Sequence, residues 1–179
     1  MPVDLPPTDA ALGNEVLVLL TTPPLAASGI PTVTEINAGL FATCHIYGRF
    51  NATPNQNSGE GPRKWCSKNT PTRLGTSTYP IIEVQYSYKP QELGTPGAAG
   101  NEVYEALEPD AVLTAVLLAG IDGKSNSVAA GDVCDVLLVR AGKRRKGVTG
   151  EGEFDELSTS QMVEVVNGEA VAEDHVIAA

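Results

Sequence analysis

The strongest constraint on the fold comes from residues 133–140, which are apolar or β-branched at most positions of both alternating faces. A β-strand has this pattern when neither of its faces meets water. Residues 112–118 repeat the pattern. We therefore predict a sheet with central strands that are covered on both sides. Because one small domain offers limited cover, we expect neighbouring copies of the chain to complete it.

Weaker signals outline the rest of the sheet. Three further segments have the pattern of strands: residues 15–20, 41–50 and 79–88. The third of these alternates between apolar and polar positions, as a half-buried strand does. The dipeptide Asn167-Gly168 predicts a tight β-hairpin in which residues 161–166 pair with residues 169–177.

Two short helices are expected beside these strands. Thr32 and Glu35 have the spacing of a capping box, in which a hydroxyl and a carboxylate satisfy the free amides of a first helical turn. Asn101 is expected to cap a second helix over residues 102–107. The predicted fold class is therefore mainly β: a β-sandwich or open barrel of about seven strands with a short flanking α-helix.

The predicted domain organisation is simple. Residues 1–13 are Pro-rich and acidic and are expected to form an N-terminal arm, and residues 14–179 are expected to form a single β-sandwich domain. Within that domain, residues 51–78 form the longest stretch without periodicity, so we expect an irregular loop there. Loops of this length in a compact domain are usually functional or disordered.

The charge distribution excludes one class of function. The net charge is −10, and neither Lys nor Arg occurs before Arg49 or after Lys146. A protein that reads nucleic acid needs a basic face to neutralise phosphates, so this balance argues against one. No apolar run reaches the roughly 20 residues that a membrane helix needs, so no membrane partner is expected.

Two charged segments are the candidate sites of self-association. Residues 141–153 are expected to form a loop between two strands, basic at its start and acidic towards its end. A subunit with cations on one edge and anions on another can stack head to tail on its own copies. A plainly solvated turn is the alternative for this loop. In the long loop, Trp65 is an apolar anchor among cations, expected to dock on the body or on a neighbour. The candidate residues are Arg140, Lys143, Arg144, Arg145, Lys146, Glu151, Glu153, Asp155, Glu156, Arg63, Lys64 and Trp65.

Catalysis finds little support in the sequence. The chain has three cysteines and two histidines: Cys44, Cys66, Cys134, His45 and His175. Their spacing matches no zinc motif and no nucleophile elbow, so buried unreactive thiols are the expected interpretation. We predict no catalytic residue, no metal and no cofactor.

Several local patterns together resemble one family. They are residues 31–39, the loop that begins at residues 51–55 and reaches Cys66, and the entry of residues 131–133 into a Val-rich strand. The charged loop and the closing hairpin also fit. From about residue 14 to the C-terminus the chain resembles the major tail tube proteins of long-tailed, siphovirus-type bacteriophages, particularly those of actinobacterial hosts.

The resemblance implies a structural virion protein that is not an enzyme. Its subunits would form rings, typically hexameric, whose inner strands close a continuous β-barrel. The rings would stack into the tail tube through which DNA leaves, together with tape-measure, tail-terminator and tail-tip proteins. Assembly would take place in the host cytoplasm. A net negative charge suits such a conduit, because each phosphate contact would slow the passage of DNA.

Two other classes of function stay open at this point. One is a different virion β-domain, such as a capsid decoration or baseplate protein, which the position of the protein in the particle would reveal. The other is a small β-sandwich binding module or hydrolase, which would depend on Cys44, His45, Cys66 or His175.

Overall fold

A computed structural model describes residues 13–93, 100–150 and 152–178. Eight of its ten strands form one curled sheet in the order β2-β1-β7-β8-β9-β6-β3, with β10 paired to β8. The strands are β1 (Glu15–Leu20), β2 (Leu40–Phe41), β3 (Ile46–Tyr47), β4 (Asn55–Glu60), β5 (Thr72–Thr78), β6 (Ile82–Ser87), β7 (Val112–Ala119), β8 (Val133–Val148), β9 (Leu157–Val165) and β10 (Ala172–Val176). The helices are α1 (Val33–Asn37) and α2 (Glu102–Ala106). The predicted mainly β fold is confirmed, in its open-barrel form. The predicted N-terminal segment, residues 1–13, lies outside the described residues except for Gly13.

The two edge strands of the sheet are consecutive in the chain. β2 and β3 are joined through a single 3-10 turn, Thr43–His45. Five residues of extended chain reach at most about 18 Å, so the sheet must curl until its edges approach each other. The prediction of one strand over residues 41–50 was wrong. The Thr43 hydroxyl accepts a hydrogen bond from the Leu17 amide at 2.9 Å, which fixes the turn against β1.

The central strands are buried on both faces within one chain. Along β1, Leu17 and Leu19 belong to an inner apolar cluster on the concave face, which β6 and α2 help to cover. Val16, Val18 and Leu20 belong to an outer cluster, where they pack near Ile36 of α1, Val128 and Ile177. The two-faced pattern is therefore confirmed. The expectation that neighbouring copies cover these strands was wrong, because α1, the loop before β8 and the C-terminal residues already cover them.

The two helices begin differently from one another. Thr32 and Glu35 form the predicted capping box: the Thr32 amide donates to Glu35 at 2.8 Å, and the Thr32 hydroxyl accepts from the Glu35 amide. Asn101 does not cap α2 with its side chain, contrary to the prediction. Its buried amide group instead bonds the main-chain N–H and C=O of Lys89, each at 2.9 Å. This pair of bonds ties α2 to the end of β6.

Residues 141–148 are not a loop, as was predicted, but the second half of β8. This half pairs with β9 over residues 157–163, and the register shifts between Ala141 and Arg144. A β-bulge of this kind changes which residues point to each face of the sheet. Only residues 149–156, apart from the undescribed Glu151, form the turn between the two strands.

The predicted hairpin at Asn167-Gly168 does not form. Both residues have the left-handed φ typical of this dipeptide, 64° and 68°. However, β10 pairs with residues 133–136 of β8. It occupies the same edge of β8 that β9 occupies over residues 139–148. The reason is that β9 already lies between β8 and β6, so neither of its edges is free for β10.

The long loop contains a second, separate sheet. β4 and β5 pair as an antiparallel hairpin, from Asn55 opposite Thr78 to Glu60 opposite Thr72. The prediction of an irregular loop was therefore wrong for both of these segments. We call residues 55–78 the arm. Every residue of its two strands is exposed.

Candidate self-association surface

The arm is a cationic projection that its own chain does not cover. It carries Arg63, Lys64, Lys68 and Arg73 and a single acid, Glu60. Because the whole chain has a net charge of −10, the residues outside the arm carry a net charge of −13. Trp65 lies near the tip and is fully exposed. The alternative in which Trp65 docks on its own body is therefore excluded, and docking on a neighbour stays a prediction.

The root of the arm is held firmly although its tip is free. Phe50 and Ala52, which lead into the arm, pack against the inner cluster. At the other root, Tyr79 donates a hydrogen bond to Glu173 at 2.6 Å. Burial and this carboxylate raise the pKa of the Tyr79 hydroxyl well above its usual range, so it stays a donor at neutral pH. The arm therefore starts from a fixed point, near the beginning of β1.

Arg144, a predicted self-association residue, instead contacts α2 of its own chain. The bulge in β8 turns it towards the inner cluster, opposite Gln161. Its guanidinium lies 3.9 Å from the centroid of the Tyr104 ring. It donates to the carbonyls of Tyr104 and Leu107, the latter at 3.0 and 3.2 Å. A cation at these last carbonyls satisfies groups that the helix leaves unpaired and complements the helix dipole.

The other cations of this strand divide into two groups. Lys146 lies 5.1 Å from the Tyr88 ring centroid, and interaction with Tyr88 raises its pKa. Arg140 forms a cross-strand ion pair with Glu164 at 3.1 Å. Within the described part of the chain, the side chains of Lys143 and Arg145 form neither a hydrogen bond nor an ion pair, and both residues are exposed.

The predicted acidic residues lie at the turn of the same hairpin. Asp155 stabilises the turn by accepting hydrogen bonds from Thr149 and the Gly152 amide. Glu156 accepts a hydrogen bond from Tyr47. Burial first, and then the bond to Glu156, raise the pKa of Tyr47 to about 12. Glu153 is exposed, and Glu151 lies outside the described residues.

In this hairpin the bases lie along the strand β8, and the described acids of the candidate set lie at the turn that follows it. Head-to-tail pairing of these two groups between copies stays a prediction. The clear separation of charge is between the arm and the rest of the chain. Arg63, Lys64 and Trp65 lie together near the arm tip, far in sequence from the cluster of β8. The structure does not bring these two groups of candidates into one site.

The two most exposed large apolar residues after Trp65 were not identified from the sequence. Leu25 and Phe154 are each 92% exposed. Leu25 borders a groove of about 550 Å³ that Leu19, Leu20, Leu40 and Pro23 also line, with Glu35 at one side. The Pro23-Pro24 pair after β1 was the only local signal that the chain leaves the sheet there.

The cysteines and histidines do not converge. Among the described residues no three His, Cys, Asp or Glu side chains are placed to hold a metal ion. Cys44 and Cys66 are exposed, and Cys134 is buried. Burial raises the pKa of the Cys134 thiol to about 11, which makes it a poor nucleophile at neutral pH. No helix in the described ranges is long and apolar enough to cross a membrane.

Comparison with known proteins gives one decisive match. Among solved structures, the chain is similar to one in "Cryo-EM structure of the anti-feeding prophage (AFP) baseplate, 6-fold symmetrised", with a TM-score of 0.49 and 10% identity over 92% of this chain and 96% of that chain. A likeness at that level carries no further conclusion. The search of curated proteins gave no match. A family model described as phage tail tube protein matches residues 3–179. Because this match spans nearly the whole sequence, the chain belongs to the phage tail tube protein family.

Proposed function

We propose that this protein is the structural subunit of a tail tube in a long-tailed phage, built from stacked rings of the chain. Membership of the tail tube family supports a structural role in the virion tail. The observation that carries the proposal of self-association is the arm: 24 consecutive residues, 55–78, with exposed strands and an exposed tryptophan. An exposed aromatic residue on a projecting hairpin is typical of an interaction site.

Charge supports the same proposal. A cationic arm on a body of net charge −13 is repelled by other arms and attracted to other bodies. The attraction therefore favours contacts between arm and body of different copies. With the arms engaged in this way, the remaining excess of acids favours a tube that does not retain DNA, since each phosphate contact adds affinity.

The finer features of the proposal follow the family. Rings of six subunits, tape-measure, tail-terminator and tail-tip partners, an actinobacterial host and assembly in the host cytoplasm are proposed with it. DNA would pass through the lumen without specific contacts. No catalytic step, cofactor or metal is proposed for this chain.

The test is electron microscopy of the purified protein. We expect rings or tubes in negative stain, alone or after addition of tail-tip complexes as a seed. Immunogold labelling of the virion should then decorate the whole length of the tail. Label confined to the capsid or the baseplate would favour the other virion β-domains. A monomer at every concentration, with and without the seed, would overturn the proposal.

A further inference from the structure

The groove beside Leu25 and the arm lie at opposite ends of β1. The arm is rooted where β1 begins: Asn51, Ala52 and Thr53 lie beside Glu15 in one surface pocket. The groove lies where β1 ends, beside Leu19 and Leu20. Six residues of strand separate these ends by about 17 Å. A contact between the arm of one copy and the groove of another joins two different surfaces, so it can be repeated head to tail.

We propose that Trp65 of one copy occupies this groove on the next copy. The inference rests on the proposed tube function and names the receptor site for the arm. Trp65 buries nothing in its own chain, although tryptophan is among the residues that most often anchor interfaces. The groove is lined by leucine and proline together with the polar residues Thr21, Thr22 and Glu35, and its volume admits an indole with the stem of a neighbouring cation.

Charge around the groove fits the arm tip. The Glu35 carboxylate lies at its side. Its Oε2 accepts hydrogen bonds from the Thr32 amide at 2.8 Å and the Thr32 hydroxyl at 3.0 Å, and its Oε1 accepts one from the Leu25 amide at 2.7 Å. A carboxylate accepts about four hydrogen bonds, so Oε1 has room for one further donor, which an incoming Lys64 would supply. No Lys or Arg precedes Arg49 in the sequence, so the segments that form the groove contain no cation to repel the arm.

Two other receptors compete with the groove. A pocket of about 580 Å³ beside Glu15 and Arg49 is apolar as well, but it lies at the same end as the root of the arm. Its occupation by an arm would favour a closed, face-to-face dimer. The acidic turn around Phe154 presents an equally exposed apolar residue, but it has no apolar groove around it among the described cavities.

The first experiment uses Trp65 as its own reporter, because it is the single tryptophan of the chain. On assembly of the wild-type protein we expect its fluorescence to shift to the blue and its quenching by acrylamide to fall several-fold. Leu25→Glu should abolish both changes, whereas Phe154→Glu should leave them intact. Trp65→Ala should keep the melting temperature of the monomer and raise the critical concentration for assembly by roughly 30-fold, the usual cost of removing an aromatic anchor.

The second experiment uses the native thiol of Cys66, next to Trp65, in a Cys44→Ser background. Leu25→Cys and Phe154→Cys place a second thiol at sites of equal exposure, 92% each. Mild oxidation should give a ladder of disulfide-linked oligomers with Leu25→Cys only. Three outcomes would overturn the proposed groove contact and leave the tube function standing. They are a ladder with Phe154→Cys only, a dimer in place of a ladder, and tubes of Leu25→Cys that form without a crosslink. Absence of any assembly with the seed present would overturn both.

Discussion

The guanidinium of Arg144 covers the face of Tyr104 and satisfies the carbonyls of Tyr104 and Leu107 at the end of α2. The same ring stacks on Tyr88, with centroids 4.8 Å apart, and meets Tyr86 edge-on at 6.4 Å. Tyr86 in turn donates to the buried Gln161 at 2.7 Å. One cation therefore joins a helix, an aromatic cluster and the inner face of the sheet.

We expect Arg144→Ala to lower the free energy of unfolding by about 2–3 kcal/mol, because it removes charged hydrogen bonds and a cation–π contact. Arg144→Lys should recover only part of this loss, since an ammonium group cannot match the flat guanidinium. Arg145 is the matched control: its side chain has no bonded partner among the described residues, and Arg145→Ala should change stability by less than about 0.5 kcal/mol. Urea unfolding of the three variants makes the comparison. Equal losses for Arg144→Ala and Arg145→Ala would contradict the assigned role.

Lys143 and Arg145 are consequently the better probes of association on this strand. Charge reversal of Arg144 would combine a loss of folding with any loss of assembly. Reversal of Lys143 and Arg145 changes the surface alone.

Glu35 gives a pH-dependent stability at the start of α1. Hydrogen bonds from the amides of Thr32 and Leu25 lower its pKa below the ordinary value of 4.5. A group with a lowered folded-state pKa stabilises the protein above its unfolded pKa, and this contribution is lost as the pH falls through the folded value. We therefore expect wild type to exceed Glu35→Gln in stability at pH 7 and the difference to vanish at pH values below the folded pKa. Urea midpoints across pH 2–7 measure this, and a difference that is independent of pH would contradict it.

At the scale of elements, the bulge in β8 determines which residues of the second half of this strand face the inner cluster. Ala141 faces the inner cluster opposite Val163, and after the shift Arg144 faces the same way opposite Gln161. Without the extra residue, Arg144 would follow the alternation of Arg140 and point outward. Gly142, at the shift, accepts a hydrogen bond from the Gln161 side chain at 2.6 Å through its carbonyl oxygen. The hydrogen bond from the buried Gln161 side chain therefore lies at the bulge, where the facing of the residues along β8 changes.

Gly142 is required by the close approach of β9. A Cβ at this position would lie 2.8 Å from the Met162 carbonyl oxygen, which is main chain and cannot swing away. We expect Gly142→Ala to destabilise the protein by about 1–3 kcal/mol through strain in the strand pair. Gly147 lies in the same strand with nothing within 4 Å of its Cβ position, so Gly147→Ala is the matched control. Thermal unfolding distinguishes them, and equal melting temperatures for the two variants would show that the bulge adapts.

At the scale of the whole molecule, the described residues divide into a body with buried central strands and an arm with exposed strands. The inner and outer clusters bury the central strands inside one chain. We therefore expect the proposed interface between copies to lie on the arm and on exposed apolar sites such as Leu25, and not on the central strands. Self-association of this kind joins folded bodies and leaves the cores unchanged.

Salt should weaken the association through the arm. Its four bases and one acid face a body of net charge −13, and exposed charges are screened over about 8 Å at 0.15 M ionic strength. We expect the critical concentration for tube formation to rise between 0.05 and 0.5 M NaCl. Lys64→Glu should raise that concentration at low salt and flatten its salt dependence, whereas Lys124→Glu, a change of the same charge on the body, should do neither. Sedimentation of assembled protein measures the critical concentration of wild type, Lys64→Glu and Lys124→Glu at each salt concentration. If the critical concentration of wild type fell with added salt, the association would be due to apolar contacts alone.

The sequence by itself determined the elements whose signal is local. β1, β6, β7 and the first half of β8 follow from hydrophobic periodicity, and the start of α1 follows from hydroxyl and carboxylate spacing, because neighbouring residues supply those forces. The likeness to tail tube proteins was also carried by local patterns. For the candidate site, the sequence identified Arg63, Lys64 and Trp65 as a cationic segment with an apolar anchor.

Only the tertiary structure decided the features that depend on distant partners. The Asn167-Gly168 pair has the backbone of a hairpin turn, yet β10 pairs with β8 because β9 is already flanked on both edges. Arg144 and Lys146 read as surface charges, but one bulge turns Arg144 onto a helix that lies about 40 residues earlier in the chain. The strands of the arm have no hydrophobic alternation, because all of their residues are exposed and a strand without a buried side needs no apolar face.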